Sequence, residues 1–256
     1  MRQLTSFIKK EMIEQLRTGR LLILTILFVM FGIMNPAIAK LTPWLYELFS
    51  DSFAEQGIII TETQVDALTS WTQFYKNASM SLIVVVVMFS GILTNELSKG
   101  TLVNMLTKGL SRWKVIVAKG ITAIVVWTIC HWGCFFITYG YNEYFWDNSI
   151  ASYVYYGGFC IYLFGVWLIS LILLGSVLFQ SNYAVLLFTG GTVAVSYLIG
   201  IVPNTTQYLP IQLMNAGTLL NQMSVPGDYT RSIVVTLILI VFSVGISITV
   251  FNRKRI

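Results

Sequence analysis

Charge is what this sequence has least of. Only 11% of its 256 residues are Asp, Glu, Lys or Arg, against roughly 25% in ordinary soluble domains. Hydrophobic residues make up 56% and the mean hydropathy is +0.74. Such a chain lacks the polar surface to stay dissolved, which excludes a soluble globular domain and a disordered segment alike. Histidine occurs once and cysteine three times. Cys130, Cys134 and Cys160 all fall within apolar runs, which excludes an extracellular disulfide framework. Cys130 and Cys134 flank His131, but adjacent helical residues face different directions. No carboxylate lies nearby to complete a metal set, so a hydrogen-bonded structural histidine is expected. No stretch matches G-x-x-x-x-G-K-[ST], the loop whose backbone N–H groups cradle phosphates, so ATP hydrolysis is not expected of this chain. One histidine without a buried acid also supplies no acid/base pair, and no enzymatic activity is expected.

The rare charges are informative through their positions. A charge at the bilayer centre costs about 2.5 to 3.5 kcal/mol on insertion scales, so charge-free intervals mark spans. Nineteen residues separate Arg20 from Lys40, 19 separate Lys76 from Glu96, 23 separate Lys119 from Glu143, and 21 separate Arg231 from Arg253. Each interval suits one helix of about 20 residues. Asp147 to Asp228 encloses 80 uncharged residues, enough for two spans or three. Lys and Arg gather on the cytoplasmic side of membrane proteins. Five lie before the first span (Arg2, Lys9, Lys10, Arg17, Arg20), five in the loop after the second (Lys99, Lys108, Arg112, Lys114, Lys119), and three at the end (Arg253, Lys254, Arg255). Only Lys40, Lys76 and Arg231 fall on the other side. Both termini are therefore expected in the cytoplasm, which requires an even number of spans, six. Counting acids too, the inner side carries +10 and the outer −5. The net charge of +5 then describes orientation, and nucleic-acid binding has no support.

The expected plan is an all-α integral membrane protein forming one transmembrane domain. It comprises an interfacial helix over 1–20, span 1 over 21–39, an external segment over 41–71, span 2 over 75–95, and a cytoplasmic loop over 96–113. Span 3 follows over 114–141, span 4 over 154–179, span 5 over 183–202, an external segment over 203–228, and span 6 over 231–252. A basic amphipathic stretch precedes span 1 and no small-residue cleavage site follows it, so span 1 is read as retained rather than as a signal peptide. No Asp, Glu, Lys or Arg is expected inside a span. A proton-coupled carrier would normally place ionisable groups there and would have only His131 to use.

Residues 2–20 carry Leu4, Phe7, Ile8, Met12 and Leu16 at helical spacing, as in a helix lying on the inner membrane surface. Glu11 and Gln15 interrupt that stripe; either the anchor is imperfect or Glu11 meets a protein partner. The 41–71 segment carries Trp44, Leu45, Leu48, Phe49 and Phe53 among acids, with a helix start at Thr63 to Asp66 before Trp71. It reads as an interfacial helix or as part of an external mouth. In the cytoplasmic loop, Gly100 and Gly109 punctuate a short helix capped by Thr101, with Leu102, Met105 and Leu106 on one side and Asn104 and Lys108 elsewhere; Ser111 caps span 3. Such a rod either docks in a partner's cleft or rests on the membrane.

Lys10-Glu11 and Arg17 before the first span, Glu96-x-x-x-Gly100-Thr101-Leu102 after the second, Leu110-Ser111-Arg112-Trp113 with Lys119 leading into the third, the six-span plan and the ending Phe251-Asn252-Arg253-Lys254-Arg255 together resemble the ABC-2-type permease family. These are the membrane subunits of ATP-binding-cassette exporters. The resemblance implies a bacterial cell-membrane protein whose amino-terminal helix is an elbow and whose loop helix is a coupling helix inserted into an ATPase. By resemblance Glu96, Gly100, Thr101, Leu102, Met105 and Leu106 form the ATPase-coupling interface, with Glu11 in support. It also implies two cytosolic ATPase subunits that bring ATP and magnesium, a second permease chain, identical or homologous, and a re-entrant hairpin over 203–228. That hairpin is expected to pack on spans 5 and 6, since exposed irregular backbone is not tolerated at that depth. The Asn77-Ala78-Ser79 and Asn204-Thr205-Thr206 glycosylation patterns are too short to carry weight. An apolar, uncharged pathway would suit an amphiphile such as a peptide, lipid or drug. The competing functions are a membrane scaffold or sensor that binds a cytosolic partner through the same loop, and the proton-coupled carrier.

Overall fold

The computed structural model describes residues 2–49, 65–107 and 109–254. Among them every regular element is helical, and six helices are long and apolar enough to cross a membrane. In chain order these are α1 (Arg2–Arg17), α2 (Arg20–Leu48), α3 (Ala67–Phe89), α4 (Thr94–Ser98), α5 (Thr101–Thr107), α6 (Arg112–Phe145), α7 (Val154–Leu178), α8 (Asn182–Gly200) and α9 (Thr230–Arg253). The spans are α2, α3, α6, α7, α8 and α9. The most buried is α7, with 78% of its apolar window inside the protein against 17% for α8 and for α9. The fourth span is therefore the post around which the others stand. Its Gly165 accepts the indole of Trp127, whose Cε2 lies 2.4 Å from where a Cβ would sit. Small residues let membrane helices approach this closely.

One end of the bundle collects both termini. Lys114 Nζ donates to Gln3 Oε1 at 2.7 Å, and Arg112 Nη1 donates to the carbonyls of Phe251, Asn252 and Lys254. Lys254 Nζ reaches Val177 O at 2.7 Å. The uncharged turn between α7 and α8 belongs to the same end, since Asn182 Nδ2 donates to Asn95 Oδ1 at 2.9 Å. An even number of crossings follows from these contacts. We call this the charged end.

Several element bounds differ from expectation. The first span does not stop at residue 39; α2 continues through Lys40 and Pro43 to Leu48, so 41–48 is no separate external segment. Lys40 Nζ sits 3.8 Å from the centroid of the Phe145 ring, a cation–π contact that holds a charge on the helix. Span 2 starts at Ala67, taking in Trp71, and ends at Phe89, with a turn before α4. Asp66 is its N-cap, accepting from Thr69 N at 2.9 Å. Thr63, Phe53 and the acids Asp51, Glu55 and Glu62 lie outside the described residues, as do Lys108 and Arg255. Ser111 takes the N-cap position of α6 without a side-chain cap bond. Residues 203–228 form short 3₁₀ helices at Thr206–Tyr208, Pro210–Leu219 and Pro226–Tyr229. The middle one packs chiefly on α7 and α3 as well as on α9 and α8, not on spans 5 and 6 alone. Ile211, Leu213, Ala216 and Leu219 bury there because the central post offers the larger apolar face.

Pro36 lies inside α2 and lacks an N–H, so the Gly32 carbonyl loses its helical donor. Thr138 of α6 replaces it, donating from Oγ1 to Gly32 O at 3.0 Å. Asn35 Nδ2 donates to the same Thr138 hydroxyl at 3.1 Å, and Asn77 Nδ2 donates to Asn35 Oδ1 at 2.8 Å. Gly32 makes room, since a Cβ there would lie 3.0 Å from Cys134 O. One proline thus generates a polar link across the first three spans. Thr138→Val, of nearly equal volume, is expected to destabilise the fold by about 1–3 kcal/mol by orphaning that carbonyl. Thr138→Ser should restore most of the loss, as read by unfolding in detergent.

Candidate functional site

The densest chemistry sits at the charged end, where α1, α4 and α6 meet. Lys119 lies seven residues after the start of α6 and is 2% exposed. This corrects the expectation that no ionisable residue enters a span: the charge count gave Lys119 to the loop although the expected span 3 already began at 114, and α6, starting at Arg112, carries it inward. Its Nζ is 2.9 Å from Glu11 Oε2 and 3.0 Å from Glu96 Oε2. The Glu11 contact is a hydrogen bond, whereas Glu96 Oε2 lies outside hydrogen-bonding geometry and makes an ion pair only. Lys10 Nζ closes the figure at 3.0 Å from Glu11 Oε1, 3.4 Å from Glu96 Oε1 and 2.7 Å from Glu14 Oε2. The result is an alternating ring, Lys119–Glu11–Lys10–Glu96, with Glu14 attached through Lys10.

Local structure explains the ring. Helical spacing puts Phe7, Glu11 and Gln15 on one face of α1, and all three are buried. The polar residues that seemed to interrupt an apolar stripe therefore form the inward face, while Ile13 and Leu16 are exposed. Both carboxylate oxygens of Glu11 pair within the chain, with Lys10 and with Lys119. For Lys10, burial disfavours the ammonium, but the hydrogen bonds it donates to Glu14 and Glu11, with the negative charges of Glu11 and Glu96, outweigh it and raise the pKa above the usual lysine range. For Glu14, burial pushes the pKa up, but the Lys10 hydrogen bond together with the positive charges of Lys10, Lys119 and Arg20 more than reverses it, leaving the carboxyl below its ordinary value.

The residues expected to form a coupling interface divide between inside and outside. Glu96 joins the ring through its side chain, and Leu102 is fully buried in this chain. Met105 and Leu106 are half-buried and pack against the same core. Thr101 is exposed, and its hydroxyl donates back to Glu96 O at 3.3 Å rather than capping α5. Gly100 has φ +67° and Gly109 φ +90°, left-handed values that glycine adopts without strain. Leu110 N bonds to Met105 O and Gly109 N to Leu106 O, closing α5 in the Schellman pattern. The apolar side of α5 thus rests on its own bundle. A cavity of about 410 Å³ opens beside the ring, lined among others by Gln15, Arg20, Asn95, Lys99 and Met105. A second, of about 400 Å³, is apolar and lies between α3, α7 and α8, with Leu82, Val86, Phe164, Leu186 and Val193 in its wall. His131 lies in neither; its Nε2 is 3.0 Å from Gly158 O.

No protein-family model matches the chain, and no curated protein matches it.

Removing one member of a buried pair leaves an uncompensated charge. Lys119→Met is therefore expected to destabilise the protein by about 3–5 kcal/mol. Adding Glu11→Gln and Glu96→Gln should recover part of that loss, a non-additivity measurable by a mutant cycle of unfolding free energies. Strict additivity would show that the ring does not exist in the protein.

Proposed function

We propose that this chain is the membrane-spanning permease subunit of an ATP-binding-cassette exporter of the ABC-2 type, with both termini in the cytoplasm. It pairs with a second permease chain and is driven by two cytosolic ATPase subunits that bring ATP and magnesium. The observation that carries the reading is the ring: it binds the amino-terminal helix and the segment leading into the loop helix to the third span through buried charge. A push delivered to α5 by a closing ATPase would act on Glu96, five residues before that helix begins at Thr101, and pass into α6. The apolar cavity between α3, α7 and α8 has no charged lining residue, which favours an amphiphilic substrate such as a peptide, lipid or drug over an ion. Alternating access would then move the substrate outward as the two bundles rock.

Because Leu102 is buried in this chain and Met105 and Leu106 are half-buried, the surface left for an ATPase includes Ser98 and Thr101, both exposed. Replacing both by Trp should lower copurification of the ATPase about tenfold or more while leaving unfolding of the permease unchanged. ATP-dependent substrate movement in vesicles should fall in parallel. Undiminished copurification together with undiminished transport would remove the coupling assignment. An intact complex that moves no substrate under any condition would instead favour a scaffold or sensor.

A further inference from the structure

Lys10 occupies its place in the ring as a bound cation would. Its ammonium meets one carboxylate oxygen from each of Glu11, Glu14 and Glu96, at 3.0, 2.7 and 3.4 Å. Ligand oxygens of these three side chains all lie within 4.8 Å of one another. That matches the span of opposite ligands around calcium, whose oxygens stand at about 2.3–2.6 Å. An independent observation points the same way. Gln15, one helical turn after Glu11, lines the same cavity and is only 4% exposed, yet its Oε1 has no hydrogen-bond partner. A buried amide oxygen without a donor is costly, and a cation would satisfy it.

We propose that Glu11, Glu14, Glu96 and Gln15 form a site for a hard divalent cation of the calcium class, which enters when Lys10 swings out. Lys10 can leave, because its side chain is 36% exposed, whereas Lys119 is 2% exposed and stays. Charge favours the exchange. Three carboxylates against two ammonium groups leave −1; with a divalent ion in place of Lys10 the site is neutral. All four protein ligands are oxygens, the donor type that hard cations take, and the cavity of about 410 Å³ has room for completing waters. Arg20 and Lys99 line the cavity too, without pairing with these carboxylates. Their positive field weakens the site, so the dissociation constant is expected at about 10⁻⁴–10⁻³ M.

The test is equilibrium binding of radioactive calcium to the purified full-length chain in detergent, with magnesium as competitor. This readout needs neither an ATPase nor transport, so its outcome is separate from that of the exporter reading. One saturable site per chain is expected. Lys10→Gln, which removes the resident ammonium, should bind calcium about tenfold more tightly, and Glu14→Gln or Glu96→Gln about tenfold more weakly. Glu14 is 40% exposed, so its replacement leaves the fold intact even where the others do not. Absence of saturable binding to the wild-type chain, or binding that Glu14→Gln leaves unchanged, would overturn the proposal.

Discussion

The bundle's charged end depends on one constraint: Lys119 is a cation with almost no water. Moving an ammonium from water into a low-dielectric interior carries a penalty that, even after relaxation, is several kcal/mol. It persists only if carboxylates stand beside it, and neither Glu11 nor Glu96 comes from its own helix. Glu11 must arrive on α1 and Glu96 on α4, so the burial of one side chain on α6 dictates where both of those helices lie. Phe7 then falls into the core, and α1 adopts a fixed rotation about its axis rather than floating by its apolar side. Since α5 follows Glu96 after a single left-handed glycine at position 100, the loop helix inherits its position from the same pairing.

The preference of a buried polar group for a partner inside also shapes the spans away from the ring, although Ser70, Thr122, Asn142 and Thr189 keep buried side-chain atoms without one. Within single helices the hydroxyls of Ser176, Thr236 and Ser247 donate to the carbonyl four residues earlier, at 2.6, 2.6 and 2.7 Å. Such bonds let serine and threonine sit at tight contacts without orphaned oxygens. Between helices, Tyr75 reaches Val154 O, and Trp127 donates from Nε1 to Tyr162 O at 3.0 Å. Both aromatic rings press onto α7 where Gly157 and Gly165 leave space. Burial of the fourth span and satisfaction of these polar tips are therefore a single packing solution.

Charge-free length made the six spans legible, because a bilayer's thickness and the cost of a charge within it are properties that a one-dimensional count can measure. The count read Lys119 as a loop charge for the same reason: it cannot see a partner 108 positions away. A signal was present in α1, where Glu11 and Gln15 stand four residues apart on one face with Phe7, spacing that marks an inward surface rather than a flawed one. Chain order also hid the continuation of α2 past Lys40, since the count closes a span at its first charge and cannot see the Phe145 ring that holds this ammonium on the helix. The docking of 203–228 on the fourth and second spans depends on which helix occupies the middle of the bundle, a choice made by glycines whose neighbours only the fold reveals. Thr101 was correctly placed at a helix start, but its hydroxyl turned back to Glu96 O because that carbonyl ends α4 nearby.

The ring contains two kinds of link, and their difference in burial determines how this end can move. Contacts of Lys119 are desolvated, and separating it from Glu11 or Glu96 would cost about 3–5 kcal/mol, several times thermal energy. Contacts of Lys10 are partly open to water, where an ion pair contributes about 0–1 kcal/mol. Helix α6 and the acids of α1 and α4 that touch Lys119 should therefore move as one body, while Lys10 exchanges partners within it. Displacement of α5 must then be taken up where no buried charge opposes rotation, at Gly100 on one side and at the turn from Ser90 to Leu93 on the other. The ring itself, held by the desolvated contacts of Lys119, is not where this end would bend.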